Sequence, residues 1–208
     1  YQPLCSLVER LWDSGRVGFF RDYQQRPLSG DAQVFALAHI RRAHLIEDAE
    51  ERPTAVRLHD GDALELRDCD IAVWLDPRNS HQPDRNDYSG LGVVAVHRRT
   101  GRAAILEHVA VREAPAASVA RLWSLWARYR HLDPIVGAEA NQGGALVLDE
   151  WARLAREAAK RQQPVAPPLQ VAHTTGAKAP RLASLALPLE TGQLQVCDVD
   201  RGVLPGEL

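Results

Sequence analysis

The sequence has no methionine among its 208 residues and opens on Tyr1. We therefore expect a piece of a longer protein, with a partner domain outside it. No apolar run approaches the roughly 20 residues that a membrane helix needs, and no secretory leader pattern stands at the start. A membrane is not among the expected partners. The three cysteines, Cys5, Cys69 and Cys197, are odd in number and widely spaced. That excludes a zinc-finger spacing and a disulfide framework, and it suits a reducing compartment. No G-x-x-x-x-G-K-[ST] stretch occurs, so no phosphate-loop ATPase is encoded here. Charge of one sign is also lacking. At a formal net charge of −2, any surface for a polyanion has to be a local cluster.

What is present is ordinary for a globular chain: 45% hydrophobic and 25% charged residues, enough for the core of one medium domain. Residues 1–67 read as a helix followed by irregular structure, a lead-in rather than a component of the main domain. "LCSLVERLWDSG" sets Leu4, Leu7, Val8, Leu11 and Trp12 at helical spacing ahead of Gly15.

From residue 68 the pattern sharpens. "CDIAVWLD" is a short, nearly continuous apolar strand, expected to be covered on both faces. "GLGVVAVHRRTGRAAILEHVAV" reads as two strands joined through Arg98-Arg99-Thr100-Gly101-Arg102, a hairpin with glycine in its turn. "SVARLWSLWARYRH" predicts a helix capped by Ser118 with Val119, Leu122, Trp123 and Trp126 on its apolar face. "DPIVGAEA" is a strand ending near Glu139, and "GGALVLDEWARLAREAAKRQ" a helix with Val147, Trp151, Leu154, Ala155 and Ala158 on one side. "PPLQVAH" is a further strand. A helix starting at Pro180 and stopping before Gly192 follows, and "QLQVCDVD" closes the pattern as a strand. Three antiparallel strands followed by parallel βα units predict an α/β fold with a mixed central sheet flanked by helices.

Two acids, Asp76 and Glu139, stand at the ends of predicted strands. Carboxylates brought together there repel unless protonated or neutralised, and oxygen-preferring divalent ions such as Mg2+ or Mn2+ neutralise them. The competing reading makes Asp76 a turn acid ahead of Pro77 and Glu139 a solvated loop residue. Residue types alone leave these two readings level.

The order of motifs adds a resemblance. "DIAVWLDPRNSHQPDRNDYSGLGVVAV", "GRAAILEHVAV", "DPIVGAEANQGG" and "HTTGAKAPRLASLALPLETGQLQV" resemble the nuclease domain of the large terminase subunit of tailed phages, over roughly residues 19 to 208. Asp76-Pro77 and Asp87-Tyr88-Ser89 fit that family's first motif. Glu139, Asn141 and Gly143 fit its second, and Lys178, Arg181, Leu182 and Gly192 its third stretch. "FFRDYQQRP" looks like the segment that joins the family's ATPase domain to its nuclease domain.

The resemblance implies an RNase H-like fold over residues 68–208, preceded by a lead-in over 1–67 from an ATPase domain. It implies an endonuclease that cuts double-stranded viral DNA during genome packaging through two Mg2+ or Mn2+ ions. Asp76 and Glu139 would then be catalytic metal ligands, with Asp87 a further metal or water-orienting acid. Lys178 and Arg181 would meet phosphates. The hairpin cluster Arg98, Arg99 and Arg102 is suited to tracking a phosphate backbone, although solubility alone also produces charged hairpin tips. Lone His173 is better read as a structural hydrogen bonder.

Implied partners are the terminase ATPase domain, the small terminase subunit and the portal protein, at the procapsid in the host cytoplasm. The family's third metal aspartate, on a helix after the last strand, has no counterpart here. Asp198, Asp200 and Glu207 do not match it, so the domain is expected to lack its C-terminal helix. The alternatives are another RNase H-like nuclease, such as a resolvase or transposase core, or a docking module for DNA or portal with an incomplete active site.

Overall fold

A computed structural model describes residues 37–77, 88–139, 144–172 and 183–198. Of these, 37–41 and 183–194 belong to one compact unit, and the remainder to a second.

The second unit is built on a sheet of β1 (Arg42–Glu47), β2 (Pro53–Arg57), β3 (Ala63–Glu65), β4 (Cys69–Asp76), β5 (Ser89–His97), β6 (Ala103–Val111), β7 (Ile135–Glu139), β8 (Gln170–Ala172) and β9 (Leu194–Cys197), in the order β3-β2-β1-β9-β6-β5-β4-β7-β8. Its centre is β4, β5 and β6. β5 pairs antiparallel with both neighbours, and the β5–β6 turn is closed by His97 N donating to Arg102 O at 2.8 Å. Gly101 sits in that turn at φ 68°, the left-handed conformation that glycine adopts without steric cost. β7 (Ile135–Glu139) pairs parallel with β4, and β8 (Gln170–Ala172) parallel with β7. The run β6-β5-β4-β7-β8, an antiparallel meander followed by parallel crossovers, is the RNase H-like arrangement expected above.

Helix α1 (Pro115–Tyr129) packs over β4 and β5, and α2 (Gly144–Lys160) packs on α1 and β7. Val119, Leu122, Trp126 and Tyr129 of α1 are buried over the same core as Ile71, Val73, Leu75, Leu91, Val93 and Ala95. Each large aliphatic side chain so buried contributes about 1.5–3 kcal/mol. Trp123 joins the helices, its ring 5.0 Å from Trp126 and 4.9 Å from Trp151. Trp151 Nε1 donates to Pro167 O at 3.0 Å, so these three tryptophans serve packing.

Three sequence expectations are corrected. Ser118 does not cap α1. It is buried within the first turns, and the helix opens at Pro115, whose fixed φ is already helical and whose missing N–H is not needed there. β4 is not equally covered on its two faces. Ile71, Val73 and Leu75 are buried, Ala72 and Trp74 are half-buried, and Asp70 and Asp76 are exposed. Residues 42–65 are not irregular but form β1 (Arg42–Glu47), β2 (Pro53–Arg57) and β3 (Ala63–Glu65).

These short strands hold by adding to an existing edge. β1 pairs parallel with β9 (Leu194–Cys197), and β2 and β3 follow antiparallel. Asp48 organises the β1–β2 turn by accepting from Glu50 N, Arg52 N and Arg52 Nε at 2.8–3.0 Å. Buried Gln195 of β9 accepts from His59 N at 2.8 Å, which satisfies its amide oxygen.

In the first unit, α3 (Ala186–Thr191) stops at Gly192, φ 74°, whose N–H donates to Leu189 O at 3.1 Å. The predicted stop is in place; the predicted start at Pro180 lies outside the described residues.

Candidate active site

β4 and β7 run parallel in a register that pairs Trp74 with Gly137 and Leu75 with Ala138. One step further, Asp76 ends β4 and Glu139 ends β7. Neighbouring strands lie about 4.8 Å apart, and paired residues share a face. The two carboxylates therefore stand side by side at the same sheet end, on the face opposite buried Leu75 and Ala138. Asp76 is exposed and Glu139 half-buried.

The row continues sideways through small residues. Asp76 pairs with Gly90, Gly90 with Ala110, and Glu139 with Ala172. A Cβ at Gly90 would lie 3.9 Å from Cβ of Asp76, in ordinary contact with it, so among the described residues the strands beside the acids present nothing larger than a methyl group on this row. Two like charges this close are stabilised by a shared cation, and oxygen donors suit a hard divalent one. The donor set fits such an ion in kind. Among the described residues it stops at two acids, since no group of three possible metal ligands is found there.

Two residues below the acids, the indole of Trp74 lies over Gly137, on the same face. A Cβ on Gly137 would fall 2.1 Å from Cζ3 of the ring. Glycine is thus required at that position by close approach, and the ring forms a wall behind the carboxylates.

The other expected site residues are dispersed. Asp87, His173, Lys178 and Arg181 lie outside the described residues. Arg98, Arg99 and Arg102 sit at the β5–β6 turn, beside Cys69 at the start of β4. Asp76 is seven residues away along that strand, roughly 23 Å at the usual rise. Arg98 is engaged at Asp70 (2.7 Å) and at the carbonyls of Arg67 and Cys69. Arg102 pairs with Asp62 at 2.7 Å and with Asp60. Asp198 pairs with Arg42 at 2.7 Å.

The fold resembles viral terminase nucleases. One is the large terminase nuclease from the thermophilic phage G20c, solved with bound cobalt, with 20% identity, TM-score 0.43, and coverage of 79% of this chain and 73% of that one. Another is the human cytomegalovirus terminase nuclease domain, manganese-soaked with an inhibitor bound, with 16% identity, TM-score 0.39, and coverage of 62% of this chain and 64% of that one. No protein-family model matches the sequence, and no curated protein does.

Two features of this sheet end escaped the sequence reading. Trp74 reads there as one more apolar residue, and its partner Gly137 as an unremarked glycine; only the parallel register shows them in contact. Arg112 follows β6 and stacks on Tyr88, its Cζ 4.3 Å from the ring centroid. Nothing in the sequence separates it from the chain's other arginines.

Proposed function

We propose that this chain is a metal-dependent endonuclease that cuts double-stranded viral DNA during genome packaging, acting with a terminase ATPase domain, small subunit and portal protein in the host cytoplasm. The observation that carries the reading is the juxtaposition of Asp76 and Glu139 at the ends of adjacent parallel strands. Asp76 and Glu139 would hold Mg2+ or Mn2+, two ions in the full site, with Asp87 a further ligand. Bound there, divalent ions stabilise charge developing on the phosphate and leaving oxygen and make water a better nucleophile at neutral pH.

The chain's own contribution is placement. The paired strands fix the carboxylates, the Trp74 ring backs them, and the small residues Gly90, Ala110 and Ala172 leave room for a sugar-phosphate backbone to approach. The sequence carries no base-reading motif, so cutting is expected to show little sequence preference. Lys178 and Arg181 would contribute phosphate contacts.

The test is plasmid digestion with Mg2+ or Mn2+ by the wild type, Asp76→Asn and Glu139→Gln. Each variant should lose at least about a hundredfold in rate, as removal of a principal electrostatic group does. Cutting by both variants at the parent's rate would refute the assignment.

A further inference from the structure

Divalent ions would neutralise the carboxylates themselves, but seating a duplex beside them also takes cationic contacts to the flanking phosphates. The expected arginine cluster of the β5–β6 turn is at the other end of β4, and two of its three members are engaged with acids. Arg112 is at the right end. Ser89 pairs with Val111, so one step out Tyr88 and Arg112 face each other across β5 and β6. Strand alternation puts both on the face of Gly90 and Ala110, which is the face of Asp76 and Glu139. From Asp76, Arg112 is two strands across and two residues along, a Cα separation of roughly 12 Å by sheet spacings.

We propose that Arg112, held over the ring of Tyr88, is a phosphate anchor that seats duplex DNA against the Asp76–Glu139 end of the sheet. The proposal rests on the nuclease reading above and adds a positioning residue to it. Arg112 belongs to the described arginines that no carboxylate pairs with, and its stack on Tyr88 at the Asp76–Glu139 end of the sheet sets it apart among them. Arg42, Arg52, Arg98, Arg102, Arg121, Arg128 and Arg153 each pair with a carboxylate. Among the described residues, no carboxylate pairs with Arg112.

The adjacent Glu113 is taken by Arg121 at 3.2 Å. The partner of Arg112 is the face of a tyrosine that is itself 50% exposed. A ring orients the guanidinium plane without using its N–H groups, which leaves the donor fork for an incoming phosphate.

The test measures binding of a 25-base-pair duplex by anisotropy between 50 and 200 mM salt, using the full chain carrying Asp76→Asn so that no cutting intervenes. Adding Arg112→Ala should weaken binding roughly tenfold, the loss of one charge-assisted contact. It should also flatten the dependence of log K on log salt by about 0.9, the share of one phosphate. Tyr88→Phe, which keeps the ring, should bind within twofold of the parent, whereas Tyr88→Ala should lose some of what Arg112→Ala loses. Arg156→Ala, on the exposed side of α2, should change neither quantity.

Equal affinity and slope with and without Arg112 would overturn the anchor alone. So would an equal loss in Arg156→Ala, because the effect would then be one of general charge. A parent that binds no duplex at 50 mM salt would bring down the nuclease reading and the anchor together.

Discussion

The indole of Trp74 lies so close over Gly137 that a Cβ there would meet its Cζ3 at 2.1 Å. The two residues are paired on adjacent parallel strands, directly below Asp76 and Glu139. An added methyl has to displace the ring or push the strands apart. Gly137→Ala should therefore lower the stability by about 1–3 kcal/mol, as overpacking does, read as a shift in urea midpoint. DNA cutting should fall further than the loss of folded protein explains. Removing the ring as well, in Trp74→Ala/Gly137→Ala, should cost less than the sum of the two single changes, because the clash disappears with the ring. An unchanged midpoint in Gly137→Ala would show that the ring moves aside freely.

The carboxylate pair predicts a metal response that needs no substrate. With Mn2+ at about ten times its dissociation constant, linkage adds about 1.4 kcal/mol. For a chain of this size that is a rise of about 3–5 °C in melting temperature. Asp76→Asn and Glu139→Gln should each abolish the rise. A shift that survives both substitutions would place the ion elsewhere.

Arg128, near the end of α1, ties together two strands that β9 separates. It pairs with Glu47 of β1 and lies 2.9 Å from Oε1 of Glu107 on β6. That oxygen also accepts from the Tyr129 hydroxyl at 2.8 Å. Burial, with the Glu107 charge beside it, pushes the Tyr129 phenol above its ordinary range. Arg128→Ala leaves two partly buried carboxylates without their cation. It should destabilise by about 2–4 kcal/mol, at the low side of the buried-pair range because these side chains retain about one-fifth exposure. Tyr129→Phe, which removes one hydrogen bond and keeps the ring, should cost about 1 kcal/mol. Calorimetry of the two variants checks the order; equal losses would mean that Arg128 is a surface charge in energetic terms.

Cys197 is buried, and that burial pushes its thiol up to about 12, with Asp198 and Glu107 adding to the shift. Cys69 is raised by burial as well. Both should resist alkylation at pH 8 in the native chain and react in denaturant, as peptide mapping would show. The unfolded thiol ionises near pH 9, so the unfolded chain holds fewer protons than the folded one between about pH 9 and 12. The contribution of Cys197 to stability is complete below pH 9 and is lost as pH rises through that window. Cys197→Ser should flatten the decline. Rapid native labelling of Cys197 would contradict its burial.

Much of the sheet's centre was legible because its strands carry their own pattern. β4 is an apolar run ended by Asp76-Pro77, β5 and β6 flank a glycine turn, and α1 and α2 show apolar residues at helical spacing. β1–β3 were illegible for the opposite reason. "RAHLIE", "PTAVR" and "ALE" are too short to show a period, and they become strands only by joining the edge that β9 offers. Ser118 misled because a capping residue type and a buried helical position look alike in sequence.

The sequence by itself determined that two acids end two apolar strands, since hydrophobic patterning and the proline stop are local properties of the chain. Only the tertiary structure decided that those strands are parallel neighbours in register, which turns Asp76 and Glu139 from two turn acids into one pair. It also decided that the arginines of the turn lie at the far end while Arg112 lies at the near one. Register and strand order depend on contacts between residues about sixty positions apart, and no local pattern encodes them.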